Sequence, residues 1–192
     1  MVLPSVPHHV TQRGNRRERT FFEEGDYALY LDLLADAAGR FGVEIWSYCL
    51  MPNHVHIIAV PRDSDALSQT FRYVHRHYTG YVNARMRVTG HLWQGRFSSV
   101  AMDEQHFCAA LRYVALNPVR ARLVARAEDW RWSSVRAHYA GQDDHVVRVT
   151  PGAGTRRRFQ GISGGGLRRG VHLCRAAQGR NHRPAGWLGG VA

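Results

Sequence analysis

The sequence predicts an α+β fold in which helices pack on an antiparallel sheet. Segments rich in β-formers alternate with helical periodicity over the first 150 residues, and two of the β-rich segments are separated only by a short turn. After residue 150 the composition changes abruptly. With 192 residues, of which 44% are hydrophobic, we expect one compact core and an appendage.

The first elements are a strand, a charged loop and a helix. Residues 6–13 predict a strand and residues 14–19 a loop. Residues 26–41 follow a helical period, and Asp26 stands where it can cap the helix. The apolar positions that share one face of this helix are Tyr27, Tyr30, Leu31, Leu34, Ala38 and Phe41.

A β-hairpin follows. Residues 43–50 and 54–60 are both rich in β-branched and apolar residues, and the dipeptide Pro52-Asn53 separates them. The short connection predicts that the two strands pair antiparallel.

The remaining elements complete the predicted sheet and its helices. Residues 66–86 predict a long polar helix, residues 91–102 a further strand, and residues 103–117 a last helix. Pro118 is expected to end that helix, because the residue before a proline disfavours helical geometry. The order of elements favours helices packed on one antiparallel sheet.

The chain divides into a folded domain, residues 1–150, and a Gly/Arg-rich basic tail, residues 151–192. The tail holds eleven of the nineteen glycines and eight arginines without an acid, so it contributes +8 to the net charge of +11. We expect it to be disordered or weakly ordered. A one-base shift can turn RRRFQGIS, residues 156–163, into GGDFKAFL, and we hypothesise a frameshifted C-terminus.

Several classes of protein are excluded by composition. The sequence has no apolar run of about 18 to 20 residues, which a membrane span requires, and its start does not resemble a secretory signal. The three cysteines are too widely spaced for a metal knuckle and are odd in number for a disulfide framework. We therefore expect a cytoplasmic protein without membrane contact.

The most informative local motif is His54-Val55-His56. On a strand, residues two apart point to the same face, so both imidazoles can converge on one ion. The alternative is a pair of polar residues on a solvated strand face. The pair His75 and His77 lies in a helical pattern, where a two-residue step turns about 200°, and is not expected to share a ligand.

His8 and His9 are likewise excluded as a pair, because adjacent strand residues face opposite ways.

A second feature lies on the last predicted helix. Tyr113 and Asn117 are four residues apart, which makes them neighbours on one flank of its apolar stripe. The alternatives are an interfacial aromatic residue for Tyr113 and a helix-ending residue for Asn117. Arginines and aromatic residues also alternate along residues 72–97, a pattern typical of single-stranded nucleic-acid binding.

Five strings, in this order and spacing, resemble one family. They are TQRGNRRE at 11–18, LMPNHVHII at 50–58, GHLWQGRF at 90–97, RYVALNPVRA at 112–121 and DWRWSS at 129–134. Together they resemble the REP-associated tyrosine transposases, IS200-like and single-tyrosine members of the HUH endonuclease superfamily. The resemblance covers residues 1 to about 140 and implies a ferredoxin-like or RRM-like sheet flanked by helices.

The resemblance also implies the chemistry. His54 and His56 would bind a divalent ion, Mg²⁺ or Mn²⁺, with Asn117 as third ligand, and Tyr113 would attack the scissile phosphate of single-stranded DNA to form a 5′-phosphotyrosine. The substrate would carry hairpins similar to REP palindromes. The candidate DNA-backbone contacts are Arg13, Arg16, Arg17 and Arg96. The DWRWSS string we interpret as structural.

Two other functions stay open at the level of sequence. One is a non-catalytic module that binds single-stranded nucleic acid on the same fold, either repurposed or decayed. The other is a metal-dependent phosphodiesterase that uses water, in which Tyr113 has no role. Either a monomer or a homodimer is compatible with the sequence.

Overall fold

The computed structural model describes residues 2–149, whose centre is a four-stranded sheet. Its strands are His8–Arg13 (β1), Val43–Met51 (β2), His54–Pro61 (β3) and Ser98–Ala101 (β4). They lie in the order β2-β3-β1-β4, and every neighbouring pair is antiparallel. The predicted basic tail and the hypothesised frameshift lie outside the described residues.

Within residues 2–149, four α-helices accompany the sheet. They are Glu24–Phe41 (α1), Ala66–Met86 (α2), Glu104–Arg120 (α3) and Val135–Ala140 (α4). The order β1-α1-β2-β3-α2-β4 on an antiparallel sheet is that of a ferredoxin-like fold, which confirms the predicted fold class. Among residues 2–149, none of the helices has both the length and the apolar character needed to cross a bilayer.

The two faces of the sheet pack against different helices. Val55 and Ile57 on β3 face a core formed with α1 and α2, whereas Ile58 faces a second core that includes Phe107 and Leu111 of α3. This alternation follows from the two-residue period of a strand. His54 and His56 therefore lie on the α3 face of the sheet.

The predicted hairpin is confirmed, and the last two predicted elements differ from the structure. Met51 pairs with His54 across the two-residue turn. The strand predicted over residues 91–102 is confined to Ser98–Ala101. Before it, Trp93 is buried and pairs with Gly14 in an isolated bridge instead of a continuous strand.

Helix α3 does not end before Pro118. It continues to Arg120, since Pro118 packs in the interior and the carbonyl of Asn117 accepts a hydrogen bond from Ala121 N at 2.9 Å. The proline removes one backbone donor without ending the helix.

The DWRWSS segment is structural, as predicted. Trp130 Nε1 donates to the carbonyl of Leu50 at 3.0 Å, and Leu50 N donates to the carbonyl of Trp132 at 2.9 Å. The ring of Trp132 stacks on Tyr27 of α1 with centroids 4.8 Å apart. These contacts attach the segment after α3 to the edge strand β2.

A buried carboxylate fixes the start of α1. Asp26 is the third residue of the helix, not its N-cap, and its carboxylate accepts from Phe22 N at 2.7 Å and Glu23 N at 3.2 Å. The Arg85 guanidinium of α2 binds both carboxylate oxygens. Burial raises the pKa of Asp26, but the hydrogen bonds from Arg85, Phe22 and Glu23 outweigh burial and lower it.

We expect Asp26→Ala to lower the free energy of unfolding by about 3 kcal/mol, because the change leaves two backbone donors without their acceptor and removes the buried carboxylate that binds Arg85. Urea denaturation monitored by circular dichroism measures the loss. Asp36→Ala, an exposed change in the same helix, is the control and should stay within about 0.5 kcal/mol of wild type. Equal losses in both variants would contradict this account of the α1 cap.

Candidate active site

The site is built on the turn between β2 and β3. The loop after β1 holds this turn: Gly14 N donates to the carbonyl of Asn53 at 2.8 Å, and Thr20 N donates to that of Pro52 at 2.9 Å. A Cβ atom at Gly14 would lie 2.3 Å from the carbonyl oxygen of Glu18, so only glycine fits. The turn places the first histidine at the start of β3.

Asn53 orients the first imidazole. Its Nδ2 donates to the carbonyl of Arg17 at 2.9 Å, which leaves Oδ1 to accept, and Oδ1 lies 2.6 Å from Nδ1 of His54. Because a carboxamide oxygen only accepts, Nδ1 of His54 carries the proton and Nε2 keeps a lone pair.

The two imidazoles are neighbours on one face, as the strand period predicts. Their ring centroids are 4.9 Å apart and the ring planes are nearly perpendicular, at 86°. His56 is only 5% exposed. Its Nδ1 lies 3.0 Å from Nε2 of His9, and its own Nε2 is buried without a hydrogen-bond partner.

Both histidines are held in the neutral form. Burial lowers the pKa of His54 to about 4, with a smaller contribution from the charge of Arg13. Burial also lowers the pKa of His56 to about 3, aided by His54, His9 and Arg13. Neutral imidazoles are the form that binds a metal ion.

Tyr113 reaches the histidines from α3. Its ring centroid is 5.2 Å from that of His56, with the planes at 87°, and its side chain remains 40% exposed. The Arg120 guanidinium carbon lies 5.1 Å from the centroid of the same ring. The structure thus brings the Tyr113 phenol close to two imidazoles that lie nearly sixty positions earlier in the sequence.

Asn117 lies one turn beyond Tyr113 on α3 and is 8% exposed. Among residues 2–149, which include all three side chains, no hydrogen bond joins its carboxamide to His54 or His56. Over the same range, no three His, Cys, Asp or Glu side chains form a group that could hold a metal ion.

Three of the four predicted arginines lie beside the histidines. Arg13 is the register partner of His54, while Arg16 and Arg17 form the exposed 3₁₀ turn tied down by Asn53. Arg96 lies elsewhere, in a cavity of about 460 Å³ against α2 that Phe71 also lines. None of the four forms an ion pair with a carboxylate in residues 2–149.

Comparison with known proteins assigns the chain to a family. The family model described as "Transposase IS200 like" matches residues 4–117, more than half of the chain. The chain belongs to the IS200-like transposases. The matched range includes all eight candidate residues of the transposase, from Arg13 to Asn117.

Two solved structures are similar to this IS200-like transposase. One is described as the structure of the REP-associated tyrosine transposase bound to a REP hairpin; it is 21% identical, covers 80% of this chain and 92% of its own, and gives a TM-score of 0.64. A protein of Deinococcus radiodurans R1 described as a transposase is 19% identical, with coverages of 57% and 88% and a TM-score of 0.44. No curated protein matches the chain.

Sequence reasoning missed three residues that contact the candidate site residues: His9, Asn53 and Arg120. His9 was excluded as half of a pair with His8, and the structure does place their rings on opposite faces. His8 contacts the carbonyl of Val6, whereas His9 stacks on His56 with ring centroids 5.2 Å apart. In the observed register, the odd-numbered residues of β1, which include His9, lie on the same face of the sheet as His56. This alternation is the signal that could have identified His9.

We expect the imidazole rings of His54 and His56 to stay neutral from pH 8 down to about pH 5.5, because burial lowers both pKa values far below 6.5. Imidazole ¹⁵N NMR during a pH titration measures this. The same protein in concentrated urea is the control and should titrate near 6.5. The unfolded chain thus binds protons that the folded state does not, so stability falls as pH drops below about 6.5. Titration of both rings near 6.5 in the folded protein would contradict the burial argument.

Proposed function

We propose that this chain is a metal-dependent transposase that cleaves and rejoins hairpin-bearing single-stranded DNA through a 5′-phosphotyrosine intermediate. The observation that carries the proposal is the contact between the exposed phenol ring of Tyr113 and the buried ring of His56, whose Nε2 has no hydrogen-bond partner. The pair thus offers a nucleophile and a free ligand nitrogen at one place.

The donor set fits a divalent ion. His54 and His56 are neutral, lie side by side, and His54 has its Nδ1 occupied by Asn53, which leaves Nε2 for coordination. Asn117 would supply a third ligand through its carboxamide oxygen. We propose Mg²⁺ or Mn²⁺, whose preference for oxygen ligands would be met by the Asn117 carboxamide and the substrate phosphate beside the two imidazoles. When bound, the ion polarises the scissile phosphate.

Tyr113 would act as the nucleophile. Its phenolic oxygen attacks phosphorus, the bond from phosphorus to the 3′-oxygen breaks, and the phenol gives up a proton while the departing 3′-oxygen gains one. The phosphodiester is conserved as a phosphotyrosine, so a second 3′-hydroxyl can reverse the step without an external energy source. Arg120, over the Tyr113 ring, adds positive charge where the phosphate must approach.

The arginine cluster on the same edge would hold the DNA. Arg13, Arg16 and Arg17 are exposed and lack a carboxylate partner within the described residues. Arg13 pairs in register with His54, and Asn53 joins the turn of Arg16 and Arg17 to the same histidine. Arginines of this kind bind phosphates of the backbone. A related fold bound to a REP hairpin supports hairpin-bearing DNA as the partner. We place the reaction in the cytoplasm, with the protein acting as a monomer or a homodimer.

We expect wild-type protein to form a covalent adduct with labelled hairpin-bearing single-stranded DNA in the presence of Mn²⁺, and Tyr113→Phe to form none on a denaturing gel. Tyr81→Phe is the matched control: Tyr81 is also 40% exposed and also lies under an arginine, Arg85, yet it is on α2. It should retain wild-type adduct formation.

Two results would contradict the proposal and favour another function. Cleavage that persists in Tyr113→Phe would favour a phosphodiesterase that uses water. DNA binding without any cleavage by the wild type would favour a non-catalytic binding module.

We expect the double change of Arg16 and Arg17 to Gln to flatten the salt dependence of DNA binding. Each phosphate contact to a single strand contributes about 0.7 to the slope of log K against log salt, so the slope should fall by about 1.4. Fluorescence anisotropy at several salt concentrations measures it. Arg126→Gln, which removes an arginine already paired with Glu128, is the control. An unchanged slope in the double variant would remove this turn from the DNA interface.

A further inference from the structure

His9 is the one polar side chain of β1 that makes a hydrogen bond with the histidine pair. Its Nε2 lies 3.0 Å from Nδ1 of His56, and the two rings are stacked with centroids 5.2 Å apart and planes at 26°. Its ring is also 6.2 Å from that of Tyr113. The imidazole is therefore in contact with both halves of the proposed site.

His9 is not a candidate for a third ligand. Its Nε2 is already taken by the bond to His56, and within residues 2–149 no group of three His, Cys, Asp or Glu side chains is arranged to hold a metal ion. The bond between the two rings is the contact through which His9 can act on the histidine pair.

The direction of the bond between the two rings decides which nitrogen of His56 is available. If His9 donated, His56 would have to carry its own proton on Nε2, which is buried and has no acceptor within reach. If His56 donates from Nδ1, its Nε2 holds a lone pair, and His9 carries its proton on Nδ1. His9 is only partly buried, so that proton can reach water. The second arrangement avoids a buried N–H group without an acceptor.

We propose that His9 is a positioning residue that accepts a hydrogen bond from Nδ1–H of His56 and thereby presents Nε2 of His56 as a metal ligand. The inference rests on the proposed metal-dependent function. Asn53 does the same for His54, because its Oδ1 lies 2.6 Å from Nδ1 of that residue. Each ligand histidine is thus held in one tautomer by a different partner, one from the turn and one from β1.

The tautomer of His56 gives the first test, in protein without metal. We expect ¹⁵N NMR to show a protonated Nδ1 and an unprotonated Nε2 in the wild type. His9→Gln keeps an acceptor oxygen in place of Nε2 and should preserve this tautomer. His9→Leu removes the acceptor, and His56 should then populate the form with Nε2 protonated.

Metal affinity gives the second test. Loss of a residue that orients a ligand histidine weakens metal binding about 10- to 100-fold, so we expect that loss in His9→Leu and affinity close to wild type in His9→Gln. Titration of free Mn²⁺ by electron paramagnetic resonance measures it. His77→Leu, which removes an exposed imidazole on α2, is the control for weak surface binding and should match wild type.

The outcomes separate this inference from the proposed function. A wild-type His56 protonated at Nε2, or an affinity of His9→Leu equal to that of wild type, would overturn the role of His9. An affinity of His9→Gln as low as that of His9→Leu would also overturn it, because the acceptor would then not be what matters. Absence of the tyrosine adduct with the expected tautomer and Mn²⁺ affinities would instead count against the proposed function.

Discussion

The register between β1 and β3 is the constraint on which the site depends. In this register Thr11 pairs with His56 and Arg13 with His54, so alternate residues of both strands share one face. The opposite face buries Val10, Val55 and Ile57 in the main core. A slip of one residue would expose those apolar side chains and bury the polar ones, so hydrophobic packing on one face fixes the chemistry on the other.

Helix α3 covers only part of that face. It packs over β2 and β3 through residues such as Phe107 and Leu111, whereas Val100 on β4, the register partner of His9, remains 61% exposed. The site therefore lies at the border between a packed and an open half of one sheet face. At this border His56 is buried enough to stay neutral, while Tyr113 remains accessible to a substrate.

The sequence predicted the parts of the site that depend on local periodicity. The period of a strand places His54 and His56 together, and the period of a helix places Tyr113 and Asn117 on one flank. It could not predict relations that depend on strand order or on tertiary packing. His9 was missed because its partner is 47 residues away, and Arg96 was grouped with arginines from which the fold separates it. Helix α3 continues past Pro118 because burial of that residue outweighs the loss of one backbone hydrogen bond.

Asn53 connects the proposed DNA-binding turn to the first ligand histidine. Its Nδ2 donates to the carbonyl of Arg17, and its Oδ1 accepts from Nδ1 of His54. Its own backbone carbonyl accepts from Gly14 at the start of the arginine turn. The turn and the imidazole therefore cannot shift independently: a displacement of the arginines breaks the contact that orients His54, and rotation of His54 releases the turn. Phosphate binding by Arg16 and Arg17 and ligand orientation at His54 consequently depend on the same carboxamide.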